Sequence, residues 1–92
     1  MKYIVRLTKR AKKQLDRLQI AMRPRINDAL KNLVDYYSEK ENIPKPDVKM
    51  LKGKYKGLLR LRVGDVRVVF RLEYEQFVIF VIEIVPRKDA YN

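Results

Sequence analysis

The sequence predicts an α+β fold of the order β-α-α-β-β-β, with a two-helix hairpin packed on one face of a small, mainly antiparallel twisted sheet. Three observations support this prediction. Several short segments alternate between apolar and polar residues, as strands do. Two longer segments after the first strand carry apolar residues at helical spacing. The chain has 92 residues, 47% of them hydrophobic, so we expect residues 1–92 to form a single domain around one core.

The N-terminal segment predicts a strand followed by a helix. Residues 3–7 alternate like a strand, and Thr8 suits the N-cap of a helix that runs from Lys9 to about Gln19. The apolar stripe of this helix consists of Ala11, Leu15 and Leu18. A narrow stripe of this kind is expected to face the core.

A second helix is predicted from Pro24 to about Ser38, because proline fits the first turn of a helix. Its apolar residues recur at helical spacing: Ile26, Ala29, Leu30, Leu33, Val34 and Tyr37. Residues 39–46 then predict a polar loop, interrupted by two prolines. Residues 48–57 are interpreted as a basic connector that holds a turn of structure.

A two-residue β-hairpin follows, with Gly64 and Asp65 in its turn. Glycine in the first central position suits a type II′ turn, and this turn sets Arg62 opposite Arg67. Because side chains alternate between the faces of a strand, the apolar and basic residues separate. The predicted core face carries Leu59, Leu61, Val63, Val66, Val68, Phe70 and Leu72. The other face carries Arg60, Arg62, Arg67 and Arg71, with Leu58 and Val69 as apolar interruptions.

The arginine face has two interpretations. Like charges opposed across neighbouring strands repel, and a surface that binds a polyanion would explain why they are there. Alternatively, the face is simply solvated and acidic groups elsewhere relieve the repulsion. Arg71 fits that alternative best, since Glu73 and Glu75 are close in sequence.

The last predicted strand, residues 77–85, is almost continuously apolar, which is typical of a strand inside a sheet. Pro86 ends it.

Charge and composition point to an anionic partner. The 22 Lys and Arg residues outnumber 11 Asp and Glu residues, which gives a net charge of +11 and favours nucleic acid. A basic protein without a specific partner is the alternative. Cysteine and histidine are both absent, so we expect no disulfide, metal or other cofactor. No apolar run approaches a membrane span and the N-terminus lacks a signal-peptide core, so we expect a cytoplasmic protein with no membrane partner.

Three segments in order resemble the RelE/ParE superfamily of toxins from toxin–antitoxin pairs. They are the lead-in at residues 47–53, the hairpin at 59–70 and the tail at 86–91. The two helices after a first strand match as well, so the resemblance covers nearly the whole chain. The arginine and tyrosine of the tail are more similar to the RelE branch, including its short archaeal forms, than to the gyrase-directed ParE branch.

The resemblance implies a metal-independent endoribonuclease that cuts mRNA in the ribosomal A site and inhibits translation. It implies that Arg67 stabilises the phosphate, that Arg87 protonates the leaving group, and that Tyr91 stacks on a base and helps activate the 2′-hydroxyl. Arg60 and Arg62 take the two basic positions of the first hairpin strand, although an arginine at position 62 does not readily deprotonate to serve as a base. The implied catalytic set is Arg62, Arg67, Arg87 and Tyr91, and the RNA- or ribosome-binding set is Arg60, Arg71, Lys49, Lys52, Lys54 and Lys56.

Two features of the chain leave alternatives open. The four lysines contact phosphates in the functional interpretation and only keep the connector soluble in the other, while Tyr55 stacks on a base or packs beneath the connector.

The resemblance also implies an acidic, RelB-like antitoxin that forms a hetero-oligomer with this chain. A ParE-like inhibitor of DNA gyrase and a non-catalytic RNA-binding module are the two competing functions.

Overall fold

The computed structural model describes residues 2–86, in which two helices pack on a five-stranded sheet. In chain order the elements are β1 (Ile4–Leu7), α1 (Lys9–Arg17), α2 (Met22–Tyr37), β2 (Val48–Met50), a 3₁₀ turn (Gly53–Tyr55), β3 (Leu59–Val63), β4 (Val66–Glu73) and β5 (Val78–Pro86). The predicted α+β class and the two helices on one sheet face are confirmed. No helix within the described part of the chain combines the length and apolar character needed to cross a bilayer.

The strands lie in the order β1-β5-β4-β3-β2. β1 runs parallel to β5, and the other three pairings are antiparallel, so the sheet is mainly antiparallel as predicted. β5 lies between two strands, which confirms the position inferred from its apolar sequence. The first and last strands of the described chain are therefore neighbours.

β2 is an element that the sequence analysis did not predict. Residues 48–50 were assigned to a connector, but they pair with β3 through Val48–Leu61 and Met50–Leu59. A three-residue strand is too short for alternation to be recognised, and its pairing depends on a partner about ten residues further along the chain. The turn expected in this connector is present as the 3₁₀ turn.

Helix α1 begins at its predicted N-cap and ends two residues before the predicted end. Leu18 leaves the helix with extended backbone angles and is buried in the core, only 7% exposed. Thr8 caps the N-terminus, because its Oγ1 accepts a hydrogen bond of 3.0 Å from the backbone N–H of Ala11. The buried side chains Ala11 and Leu15 face the sheet.

The N-terminal part of α1 also closes an edge of β5. β1 ends at Leu7, and beyond it the Thr8 hydroxyl donates to the carbonyl of Ile82 (3.0 Å). Further on, Gln14 Oε1 accepts a 2.7 Å hydrogen bond from the backbone N–H of Ile84. Side chains of the helix thus satisfy backbone groups that a longer β1 would have paired.

We expect Thr8→Ala to lower the free energy of unfolding by about 2 kcal/mol, because it removes a helix cap and a hydrogen bond to β5 together. Thr8→Ser keeps the hydroxyl and should lose much less. Urea denaturation of the three proteins measures this difference. Equal stability of Thr8→Ala and the wild type would contradict the dual role of the hydroxyl.

Helix α2 begins two residues before the predicted start and places Pro24 in its first turn. Its inward residues Ile26, Leu30 and Leu33 are buried. The helix ends where Glu39 takes a left-handed conformation (φ 60°) and the N–H of Lys40 donates to the carbonyl of Asp35.

One core cluster joins both helices to the inner face of the sheet. Phe70 is fully buried near its centre and contacts Tyr37 edge-on, with 6.3 Å between the ring centroids. Tyr37 in turn packs against Tyr3, and burial raises the pKa of the Tyr37 hydroxyl. This aromatic group lies at the C-terminal end of α2.

Candidate nucleic-acid interface

The β3–β4 hairpin has the register that the sequence predicts. Arg62 lies opposite Arg67, with Val63–Val66 on one side of this pair and Leu61–Val68 on the other. Gly64 has φ +57°, whereas Asp65 is not among the residues with positive φ, as a type II′ turn requires.

Gly64 has a second constraint besides its backbone angle. A Cβ atom at this position would lie 3.1 Å from Nη2 of Arg25, which reaches the turn from α2. The positive φ is the reason that the turn favours glycine, and a Cβ here would also displace the exposed Arg25 guanidinium slightly.

The two faces of the hairpin separate as predicted, with one correction. Leu61, Val66, Val68 and Phe70 are buried on the core side. Val69, expected as an apolar interruption of an open face, is only 1% exposed. Its cross-strand neighbours, Arg60 and Glu83, are themselves largely covered. The centre of the arginine face is therefore closed to solvent.

Two of the four hairpin arginines are paired with acidic residues. Nη1 of Arg60 lies 3.3 Å from Oδ1 of Asp47, which is in the segment before β2. Arg71 pairs with Glu73 on its own strand and lies over the Phe80 ring. For these two positions, acidic groups relieve the repulsion, as the alternative interpretation supposed: Asp47 lies outside the hairpin, and Glu73 continues the alternation of β4.

The other two hairpin arginines, Arg62 and Arg67, have no acidic partner within 4.0 Å among residues 2–86. Arg62 is exposed, and Arg67 is half-buried with its guanidinium 5.5 Å from the centroid of the Tyr55 ring. Nζ of Lys54 lies 5.3 Å from the same centroid. We call these four residues the Arg62–Arg67 cluster. Its fixed cationic donors suit a phosphate oxygen.

The remaining lysines are placed differently. Lys49 pairs with Arg60 across β2 and β3 and so shares the arginine face. Lys52 and Lys56 lie on either side of the 3₁₀ turn, and both are exposed. The sequence analysis left open whether Tyr55 stacks on a base or packs beneath the connector, and in the structure its ring lies beside the Arg67 guanidinium. The glycines on both sides of Tyr55 allow the connector to fold back, and they are the feature of the sequence that could have predicted this contact.

Arg87 and Tyr91 lie outside the described residues, so their predicted roles stay predictions. β5 ends at Pro86, which pairs with Val66 directly beside the hairpin turn. The neighbouring pair on that ladder is Arg67–Val85. Among residues 2–86 there is no group of three potential metal-ligating side chains.

A sequence model of the family described as "ParE toxin of type II toxin-antitoxin system, parDE" matches residues 5–91. No curated protein sequence matches the chain significantly.

Several of the solved structures similar to this fold are toxin–antitoxin complexes. The archaeal RelE–RelB complex of Pyrococcus horikoshii contains a chain with 30% identity and a TM-score of 0.71, over 95% of this chain and 97% of that one. The RelB–RelE complex of Methanococcus jannaschii contains one with 26% identity and a TM-score of 0.70, over 92% and 93%. RelBE2 of Mycobacterium tuberculosis gives 25% identity and a TM-score of 0.65, over 95% and 100%.

Proposed function

The chain belongs to the ParE toxin family of type II toxin–antitoxin systems, within the RelE/ParE superfamily, and from this membership we propose that it is an endoribonuclease that cuts mRNA in the ribosomal A site. It is a toxin of a toxin–antitoxin system. The proposal concerns what the toxin acts on and how.

The observation that carries the proposal is the opposed pair Arg62 and Arg67. Two like charges facing each other across strands destabilise a sheet, and neither is offset by a carboxylate among residues 2–86. A bound phosphodiester would turn this repulsion into attraction. The exposed cations Lys49 and Lys54 extend the positive surface along which an RNA strand can lie, with Lys52 and Lys56 at its margins. Arg60 and Arg71 are the further proposed RNA contacts, and binding there would have to compete with their carboxylate partners.

The proposed chemistry needs no metal. The 2′-hydroxyl of the RNA gives its proton to Tyr91, acting as the base, and its oxygen attacks the adjacent phosphorus while the bond from phosphorus to the 5′-oxygen breaks. The products are a 2′,3′-cyclic phosphate and a 5′-hydroxyl. Arg67 and Arg62 would stabilise the negative charge that develops on the phosphate oxygens. Arg87 would protonate the departing 5′-oxygen, and Tyr91 would stack on a base beside the reacting ribose.

A site of this composition supplies electrostatic stabilisation and positioning. It has no histidine to exchange protons near neutral pH, since the chain contains none. We therefore propose that the ribosome supplies the remaining orientation by holding the mRNA in the A site. Such a toxin would act in the cytoplasm.

The proposed partner in the resting state is an acidic, RelB-like antitoxin. Some of the structures similar to this chain are complexes of RelE with RelB, and a net charge of +11 favours an acidic partner. An antitoxin segment that crosses the Arg62–Arg67 cluster would block the phosphate site. The resulting assembly would be a hetero-oligomer.

Inhibition of DNA gyrase is the second candidate function. The matching family model is that of ParE, whereas several of the similar solved structures are RelE–RelB complexes. A gyrase inhibitor would not depend on RNA chemistry in the tail, so Arg87 and Tyr91 discriminate between the two functions.

The decisive experiment is primer extension on an mRNA in a reconstituted translation system, with and without ribosomes. We expect cuts within the A-site codon that require ribosomes. Arg87→Ala should lower the cleavage rate at least about 100-fold, because the leaving oxygen loses its proton donor. Lys88→Ala removes the same charge one residue later and is the matched control.

A gyrase supercoiling assay is run beside it on the same protein. Intact mRNA together with blocked supercoiling would show that the toxin inhibits gyrase and does not cleave mRNA. RNA that is bound in a salt-sensitive way but never cut would leave a non-catalytic binding module.

A further inference from the structure

Tyr55 lies where the connector between β2 and β3 folds back on itself. The 3₁₀ turn begins at Gly53 (φ +68°) and is followed by Gly57 (φ +91°), and both have left-handed backbone angles. A 3.0 Å hydrogen bond from Leu58 N to the Tyr55 carbonyl and another from Leu51 N to the Leu58 carbonyl close the loop at its base. The backbone therefore sets the position of the half-buried Tyr55 ring against the arginine face.

Two cations lie beside this one ring. The Arg67 guanidinium carbon is 5.5 Å from the ring centroid, and Lys54 Nζ is 5.3 Å from it. The faces of an aromatic ring are electronegative and attract cations. Tyr55 thus gathers two positive groups that would otherwise repel each other.

The inner edge of the Arg67 side chain is buried. Its Nε atom is buried and has no hydrogen-bond partner among the described residues. A guanidinium presents its donors in a rigid plane, so burial of Nε leaves the terminal Nη groups to donate to a ligand. The two Nη groups still form a fork that matches two phosphate oxygens.

The contrast with Arg60 and Arg71 shows what an aromatic ring adds. Those two side chains are held by carboxylates, which orient a guanidinium and also offset its charge. An aromatic ring orients the guanidinium and leaves the positive charge in place. Among the described hairpin arginines, Arg67 is both held in position and not neutralised.

We propose that Tyr55 is a positioning residue for Arg67, holding the guanidinium through its ring so that the Nη edge binds the phosphodiester. This inference rests on the proposed function for the identity of that anion. In this proposal Tyr55 contributes to cleavage through its aromatic ring and not through its hydroxyl.

The first test is kinetic, on ribosomes programmed with mRNA. Tyr55→Leu is expected to lower kcat about 10- to 100-fold with KM changed by less than about threefold, because the misplaced group acts mainly in the transition state. Tyr55→Phe keeps the ring and should restore most of that loss. In an Arg67→Gln background, Tyr55→Leu should cost no more than about twofold, since the two residues act as a unit. A full further loss in that background would overturn the inference.

The second test needs no catalysis. The Nε–H resonance of Arg67, assigned through its disappearance in Arg67→Lys, should exchange slowly with water in the wild type and in Tyr55→Phe. We expect exchange at least about tenfold faster in Tyr55→Leu, and unchanged exchange would overturn the proposal. Tyr74→Leu, at a tyrosine that is 69% exposed, is the control.

The two tests separate the proposals. If the wild type never cuts mRNA but its Arg67 signal depends on Tyr55, the proposed function fails and the positioning role stands. If the wild type cuts mRNA and Tyr55→Leu cuts it equally fast, the positioning role fails alone.

Discussion

Arg67→Ala is expected to reduce ribosome-dependent mRNA cleavage by about 100- to 1,000-fold, the loss typical when one preorganised donor to a developing negative charge is removed. Arg67 is suited to this role because its guanidinium lies over Tyr55 and has no carboxylate within 4.0 Å among residues 2–86. The measurement is the single-turnover cleavage rate at saturating ribosomes, followed by primer extension.

The fold should survive this substitution. Alanine loses the cation–π contact but also removes a buried, unpartnered Nε and the repulsion from Arg62. We expect the free energy of unfolding to change by less than about 1 kcal/mol.

Arg6→Ala is the matched control for charge. Arg6 is exposed on the edge strand β1, where it pairs with Phe80, and its removal takes the same charge from a strand two positions away from that of Arg67. If the Arg67→Ala variant cleaves mRNA as fast as the Arg6→Ala variant, Arg67 does not belong to the proposed catalytic set.

Phe70→Ala is expected to have the largest effect on stability, about 4 kcal/mol. Phe70 is fully buried on the core face of β4, with Leu59 and Val81 as its cross-strand partners. Alanine leaves a cavity beneath both helices and removes the edge-on contact with Tyr37. Since small domains unfold at a cost of about 5–15 kcal/mol, this loss is a large part of the total.

Equilibrium denaturation in urea measures this effect. Phe70→Leu refills most of the volume and should lose less than about 1.5 kcal/mol. Tyr74→Ala, at an exposed aromatic, should stay within about 0.5 kcal/mol of the wild type. A loss below about 1 kcal/mol for Phe70→Ala would show that the core is not packed around this ring.

Local periodicity predicted the helices and strands that can be recognised from their own residues alone. Thr8 before a helical stripe identified the start of α1, and Gly64 between two alternating strands fixed the hairpin register by simple counting. β2 was missed because three residues have no recognisable period. The parallel pairing of β1 with β5 joins residues about 74 positions apart, which no local pattern records.

The candidate site was predictable to the same extent. Alternation alone brought the four hairpin arginines to one face, since all of them lie on two adjacent strands. Their different environments depend on contacts outside the hairpin. Asp47 reaches Arg60 from 13 residues away, and Tyr55 reaches Arg67 across a folded-back loop. The sequence did single out Arg71, whose partner Glu73 is two residues away. It did not distinguish Arg60 from Arg62 and Arg67, because the contacts that separate those three depend on tertiary geometry.

The pairing of β1 with β5 has a consequence for how the toxin is made. The N-terminal strand emerges first during synthesis, but its partner is the last strand of the described chain, and the edge contacts from Thr8 and Gln14 also wait for residues 82–84. Contacts between such distant segments form late, after a large loss of chain entropy. Until β5 has been made, β1 and much of the apolar face of α1 have no place to pack. A chain synthesised only as far as β4 therefore cannot complete the sheet that carries Arg67, because both β1 and β4 pair with β5.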